Sequence, residues 1–316
     1  MRFFRLFVLF TALVSNFAAI AEESKVEIVV SLPPLKFIAE DLVKDRAQVS
    51  MISQSGSPHH RILKPSDVKM IDQADLILWI GKELEPYLEK FTKRNPDKNF
   101  SLIEHTSESV HIHAGDGHAG DNHSDHHDHD HGHHADHSGL DPHLWLSPAA
   151  VKEYVAVLVK QLAAADPANR AFYETNAQAL VSAADKSILD WQTRMSALKG
   201  RPYFVYHDAY QYLEQVLDIE GVAVLTVNPG VKPSAKKLGK LARQLDGYNA
   251  ACVFFEPEFQ KVRLDRVTNA DIEYQLLDPV GSNFESQGKQ TVQYVQFLDT
   301  LVGQIEQCLL RLPESA

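Results

Sequence analysis

VEIVV, AQVSMIS and DLILWI have the length and apolar character of strands, and segments with helical spacing separate them, LKFIAEDLVKD and then PSDVKMIDQ. Strand and helix taking turns in this way point to α/β units and a parallel sheet, because parallel neighbours need a crossover that a helix supplies. The alternation returns after residue 199 with YFVYH, YQYLEQVLD, GVAVLTV, AKKLGKLARQL and AACVFF. The halves share a local phrase: PSDVKMI before ADLILWI in the first, PSAKKLG before AACVFFE in the second. Between them, residues 169–198 hold neither Pro nor Gly, which predicts a helix of roughly 30 residues, about 45 Å long. The expected fold class is therefore α/β, with two (β/α) lobes of mostly parallel sheets joined by one long backbone helix.

Finer expectations follow from local signals. Ser66 can cap a helix that begins at PSD, with Asp67 in its first turn, and Ser147 can cap another with Pro148 at its first position. ELEPYLEKFTKR reads as a helix, RLDRVTNADIEYQLL as a helix followed by a strand, and QTVQYVQFLDTLVGQIEQCLLRL as a C-terminal helix.

The first residues, MRFFRLFVLFTALVSNFAAIA, combine two arginines, an apolar run and a small-x-small ending. That is the pattern of an export signal cleaved after Ala21. The run is broken by Thr11, Ser15 and Asn16, and no second apolar segment of spanning length follows, so the mature chain is expected to be exported without a membrane span. A net charge of −11 disfavours nucleic acid and anionic membrane surfaces as partners. Cys252 and Cys308 are the only cysteines. An exported compartment permits a disulfide between them, and the alternatives are free thiols or two metal-bound thiolates, although no CxxC spacing is present. The expected divisions are a signal peptide over 1–21, an N-terminal metal-binding lobe over 22–168, the linking helix over 169–198 and a C-terminal metal-binding lobe over 199–316.

Sixteen histidines are distributed unevenly. Ten lie in the 25 residues from His113 to His137, with six aspartates and no apolar residue larger than alanine. Such a stretch cannot build a core, so 111–138 is expected to be a mobile loop. Imidazole is the commonest metal side-chain ligand, and interleaved carboxylates favour gathering a dication. His113, His118, His123, His126, His127, His129, His131, His133, His134 and His137 are therefore candidate auxiliary ligands for metal, in several shifting sites instead of one fixed one. A specific site needs rigid carriers. His59 and His143 each follow a proline near an element boundary, and His207 ends the strand YFVYH. Ligands of open α/β sheets bind beyond the carboxyl ends of strands, where three such histidines would make a neutral three-nitrogen Zn2+ site. Asp278, between a strand and Pro279, is a candidate fourth ligand. Each histidine also has a plainer reading. His59 can be a loop residue with His60 as the alternate ligand, His143 can support the helix after it, and His207 can be a satisfied core histidine. His105 reads as a surface residue.

GSPHHRILKPSD, DPHLWLSP, FVYHDAYQYL and LDPVGSN, in this order and with a His-rich acidic insertion before DPHLW, resemble the signatures of the ABC-importer binding proteins for zinc and manganese, and in particular the zinc-specific ZnuA type. The resemblance spans essentially the whole mature chain. It implies a metal held in the cleft between two lobes by His59, His143 and His207. Manganese-type members usually carry glutamate at the third place, so a histidine there implies zinc. It places Asp278 where an aspartate closes the site in several members and water does so in others. It further implies a periplasmic location, transient docking on an ABC permease of the inner membrane, a monomer and no enzymatic activity, while the long linking helix is expected to limit hinge motion. The rivals are a metal buffer or chaperone acting through the His-rich loop alone, and a three-histidine zinc hydrolase. The hydrolase lacks an HExxH motif, and no glutamate adjoins the three histidines along the chain.

Overall fold

The structure is a computed structural model that describes residues 25–54, 57–112, 139–226, 234–257, 264, 268–286 and 292–314. The expected signal peptide and the ten loop histidines lie outside these residues. Among the described residues, Glu27–Val30 (β1), Pro33–Val43 (α1), Gln48–Met51 (β2), Pro65–Gln73 (α2), Leu76–Trp79 (β3), Glu89–Thr92 (α3), Asn99–Ser101 (β4) and Pro148–Ala165 (α4) make the first half. Arg170–Met195 (α5) links it to Tyr203–His207 (β5), Gln211–Leu217 (α6), Ala223–Thr226 (β6), Ala235–Leu245 (α7), Ala250–Phe255 (β7), Asp271–Leu276 (β8) and Gln293–Arg311 (α8).

Each half contains a four-stranded sheet, ordered β2-β1-β3-β4 and β6-β5-β7-β8, and every pairing is parallel. The second order repeats the first, which gives the shared phrase in the sequence a structural meaning. Both copies of the phrase lead through a helix, α2 or α7, into the third strand of their sheet. The linking helix turns a stripe of Tyr173, Ala177, Leu180, Ala184, Trp191 and Met195 inward. Steps of three, four and seven residues keep these on one face. It packs against α1 and α4 of the first half and α6 and α8 of the second. Its α-helical part ends at Met195 and a 3-10 turn carries it to Leu198.

Two expectations are corrected. ELEPYLEKFTKR forms only the single turn Glu89–Thr92. Pro86 cannot donate to a helical ladder, and Glu85 is fully buried, its carboxylate accepting the Ile80 N–H at 2.7 Å and the Tyr87 hydroxyl at 3.2 Å. The helix of PSD begins at Pro65, with Lys64 and not Ser66 at the cap position. Asp67 secures it, accepting the Lys64 N–H at 2.8 Å and the Ser53 N–H at 3.0 Å. Ser147 does cap α4, accepting the Ala150 N–H at 3.2 Å.

Cys252 on β7 and Cys308 on α8 form a buried disulfide, with Cα atoms 6.1 Å apart. The start of α8 has no side-chain cap of its own. Asp41, on α1 of the other half, accepts the N–H groups of Gln293 and Tyr294, both at 3.0 Å. Phe37 of α1 packs edge-on against Phe284 at 5.0 Å in the same seam. Gly281 (φ +68°) must be glycine there, because a Cβ would stand 2.8 Å from the Phe297 ring. Among the described residues, no helix is long and apolar enough to cross a membrane.

Candidate metal centre

His59 lies in the 3-10 turn Pro58–His60, in the loop after β2. Ser57 Oγ accepts the His59 N–H at 3.3 Å. Two residues on, the buried Arg61 guanidinium donates to the Ser31 carbonyl at 3.1 Å and to Gln54 Oε1 at 3.0 Å. With the Asp67 bonds beyond it, the loop is tied to the first sheet on the far side of His59.

His143 follows β4 in chain order. Asp141 Oδ1 accepts both its backbone N–H at 3.0 Å and contacts its Nδ1 at 2.6 Å. His207 is the last residue of β5, and its Nδ1 is 3.0 Å from Glu256 Oε1, one residue beyond β7. With Nδ1 engaged on both rings, Nε2 is the nitrogen left for a ligand. His143 and His207 are buried, and His59 is half-buried. The structure brings the three together: one ring nitrogen from each lies within 4.8 Å of the other two, and the His143 and His207 rings are 4.8 Å apart. Nitrogens on a tetrahedral zinc are about 3.3 Å apart at ordinary bond lengths, so small side-chain shifts close the geometry.

Burial, with the neighbouring His207, pushes the His143 imidazole well below its usual range, which keeps it neutral and able to coordinate. Burial pulls His207 the same way, but Glu256, Asp208 and Asp141 together outweigh it and raise that imidazole. Burial lifts the Asp141 carboxyl to about 7, against the pull of the His143 N–H.

Ser57, Leu84, Trp145, Glu256, Asp278 and Val280 are among the other residues that wall a cavity of about 20 Å³, room for one water-sized body. Asp278 lines this cavity and stands outside the three-nitrogen group. Its Oδ1 accepts the N–H groups of Gly281 at 2.9 Å and Val280 at 3.2 Å, and its Oδ2 that of Asn283 at 3.3 Å. Burial raises its carboxyl despite these bonds. His60 is exposed, its ring 6.4 Å from that of His59, and also stands outside the group. His105 is a correction: it is half-buried, stacked on Phe100 at 4.0 Å, with Nδ1 at 2.8 Å from the Ser101 carbonyl.

Asp141 and Glu256 are the residues that sequence reasoning missed. Glu256 carries the same signal that singled out Asp278, an acid between a strand and a proline. Although no glutamate adjoins the three histidines along the chain, the fold sets Glu256 against one of them. The chemistry available is the binding of one divalent ion by imidazole nitrogens, with carboxylates behind two of the rings to fix tautomer and orientation.

The profile of a family described as the periplasmic zinc-uptake complex component A, ZnuA, matches residues 28–308. The chain is 31% identical to the high-affinity zinc uptake system protein ZnuA of Yersinia pestis over 296 residues, covering 89% of this chain and 91% of that one. It is 30% identical to the protein of that name from Haemophilus ducreyi over 312 residues, covering 95% and 98%. In fold it is similar to a crystal structure of ZnuA, with a TM-score of 0.70, 23% identity and coverage of 90% and 99%. The periplasmic zinc-binding protein TroA from Treponema pallidum shares the fold at a TM-score of 0.71, with 16% identity and coverage of 90% and 99%.

Proposed function

The chain belongs to the ZnuA family of periplasmic zinc-uptake components, and on that footing we propose that it captures Zn2+ in the periplasm and hands it to an ABC-type permease of the inner membrane. The observation that carries this reading is the convergence of His59, His143 and His207 within 4.8 Å. The cavity of about 20 Å³ fits a single ion as cargo. Three imidazoles favour zinc over manganese, which prefers oxygen ligands. Asp278 takes the fourth position by releasing the Asn283 contact, which at 3.3 Å is longer than those to Gly281 and Val280. The chain works as a monomer, exported by its first 21 residues, and the histidines of 113–137 gather zinc.

The rival worth testing is a buffer that acts through the His-rich segment alone. Zinc titration calorimetry separates the two readings when the full chain is compared with a chain lacking 113–137. A cleft protein keeps one tight site after the deletion and loses only additional weaker sites. That remaining site should then be lost on His207→Ala. A deleted chain with no tight site, or one whose site ignores His207→Ala, overturns the assignment.

A further inference from the structure

Tyr212 lies on α6 in the second lobe and is 1% exposed. Its hydroxyl reaches across to the first lobe, where it accepts the Ile112 N–H at 3.0 Å and donates to the Asp141 carbonyl at 2.9 Å. Asp141 N–H in turn donates to the Ile112 carbonyl at 2.8 Å. One hydroxyl therefore pins both sides of this junction. Asp141 is also the residue whose carboxylate takes the backbone N–H and Nδ1 of His143.

Two more hydrogen bonds hold the same stretch to the second lobe. The Trp145 indole donates to the Pro279 carbonyl at 2.7 Å, and the Tyr294 hydroxyl of α8 donates to the Trp145 carbonyl at 3.0 Å. Chain order assigns His143 to the first lobe, whereas these bonds fasten it to the second, beside His207. His59 is different, since Arg61 anchors its loop to Ser31 and Gln54 of the first lobe.

We propose that Tyr212 is a positioning residue for the metal site, whose hydroxyl fixes Asp141 and thereby holds the His143 ring on the same body as His207. The site then consists of a preassembled pair, His143 and His207, and a separately carried third ligand, His59. The physical basis is the sensitivity of a metal site to its supporting shell. A ligand ring is aimed by its outer partner, and that partner needs its own backbone fixed. This inference rests on the zinc-capture reading.

The test is Tyr212→Phe in the full chain, loaded with one equivalent of Zn2+ and chased with excess chelator, the slowest phase reporting the cleft. Loss of a direct outer-shell partner costs about 10–100-fold in metal affinity. One step further out, release about tenfold faster than wild type is expected, at the low end of that range. In the metal-free protein, the His143 Nδ1–H resonance should shift or broaden. Tyr203→Phe is the control, because it removes another buried hydroxyl of this lobe, one that donates to Glu214 at 2.7 Å. It should lower the melting temperature without changing zinc release. If Tyr212→Phe does not fold, 4-fluorophenylalanine at position 212, which fills the hydroxyl's volume without its donor hydrogen, is judged by the same criteria. The proposal stands only if both the release rate and the resonance change and Tyr203→Phe leaves them alone. A wild-type value for either, or an equal change in the control, overturns it. A wild-type chain with no tight zinc site would instead remove the zinc reading, while the metal-free resonance would still judge Tyr212.

Discussion

Two of the three converging imidazoles have a buried carboxylate at their back, so each ring can swing little and each presents Nε2. Removing a direct ligand should cost at least the upper end of the loss seen for outer-shell partners. For His207→Ala that means roughly 100-fold or more in zinc affinity by calorimetry. His60→Ala should stay close to wild type, since that ring is exposed and outside the group. A different residue sets a pH dependence of stability. Burial lifts the Glu85 carboxyl from 4.5 to about 7. Between those values the folded chain keeps a proton that the unfolded chain has released, so stability falls as pH rises through the window and stays lower above it. Glu85→Gln has no such slope. Between pH 4.5 and pH 8 it should gain roughly 3 kcal/mol relative to wild type in denaturant unfolding, and parallel pH profiles for the two proteins would exclude the idea. At this scale the three histidines were legible, because each stands next to a proline or at a strand end. Their carboxylate partners were less so. Glu256 is 49 positions from His207, and only the packing of β5 beside β7 makes them neighbours.

Among the elements, those without internal conflict could be read in advance. The linking helix has no breaker and a clean inward stripe, and α4 starts at the Ser-Pro signal that marks it. The expectation failed where a tertiary contact outweighed propensity. In ELEPYLEKFTKR, good helix formers yield to Glu85 turning inward to accept the Ile80 N–H. At PSD, Asp67 serves Lys64 and Ser53 together and makes a Ser66 cap unnecessary. The short β4 offers only three residues, Asn99–Ser101, too few to show a period. The disulfide joins two elements that α/β packing already holds, β7 and α8, and its 56-residue separation sets the entropy it removes from the unfolded chain. Replacing both Cys252 and Cys308 with alanine should lower unfolding free energy by about 4 kcal/mol, measured in denaturant. The folded double variant should still bind one zinc in the cleft, because neither sulfur reaches the three-histidine group. Loss of that site in a folded variant would mean that the bridge shapes the cleft directly.

At the scale of the molecule, two sheets of identical strand order turn their carboxyl ends toward one cavity, and three separate connections hold them there. The linking helix packs on helices of both halves. Asp41 of α1 caps α8. Trp145, Tyr212 and Tyr294 stitch the segment around His143 to the second lobe. The sequence made the first connection visible, as an unbroken helix between two α/β halves. It could not show the other two, since Asp41 and Tyr294 are 253 positions apart and their pairing exists only after both lobes have formed. Opening the cleft by a wide hinge would break the Asp41 cap, expose the Phe37 seam and strain a long helix, all at once. Zinc binding should therefore proceed through the His59 loop and side-chain rotations. In X-ray scattering on a chain lacking 113–137, the radius of gyration, about 19 Å for a compact chain of this length, should change by less than about 0.5 Å when zinc is added, because loop and side-chain shifts displace little mass. A contraction well above about 1 Å, of the kind a hinge closure produces, would mean that these three connections yield together and that the lobes, and not the His59 loop, admit the ion.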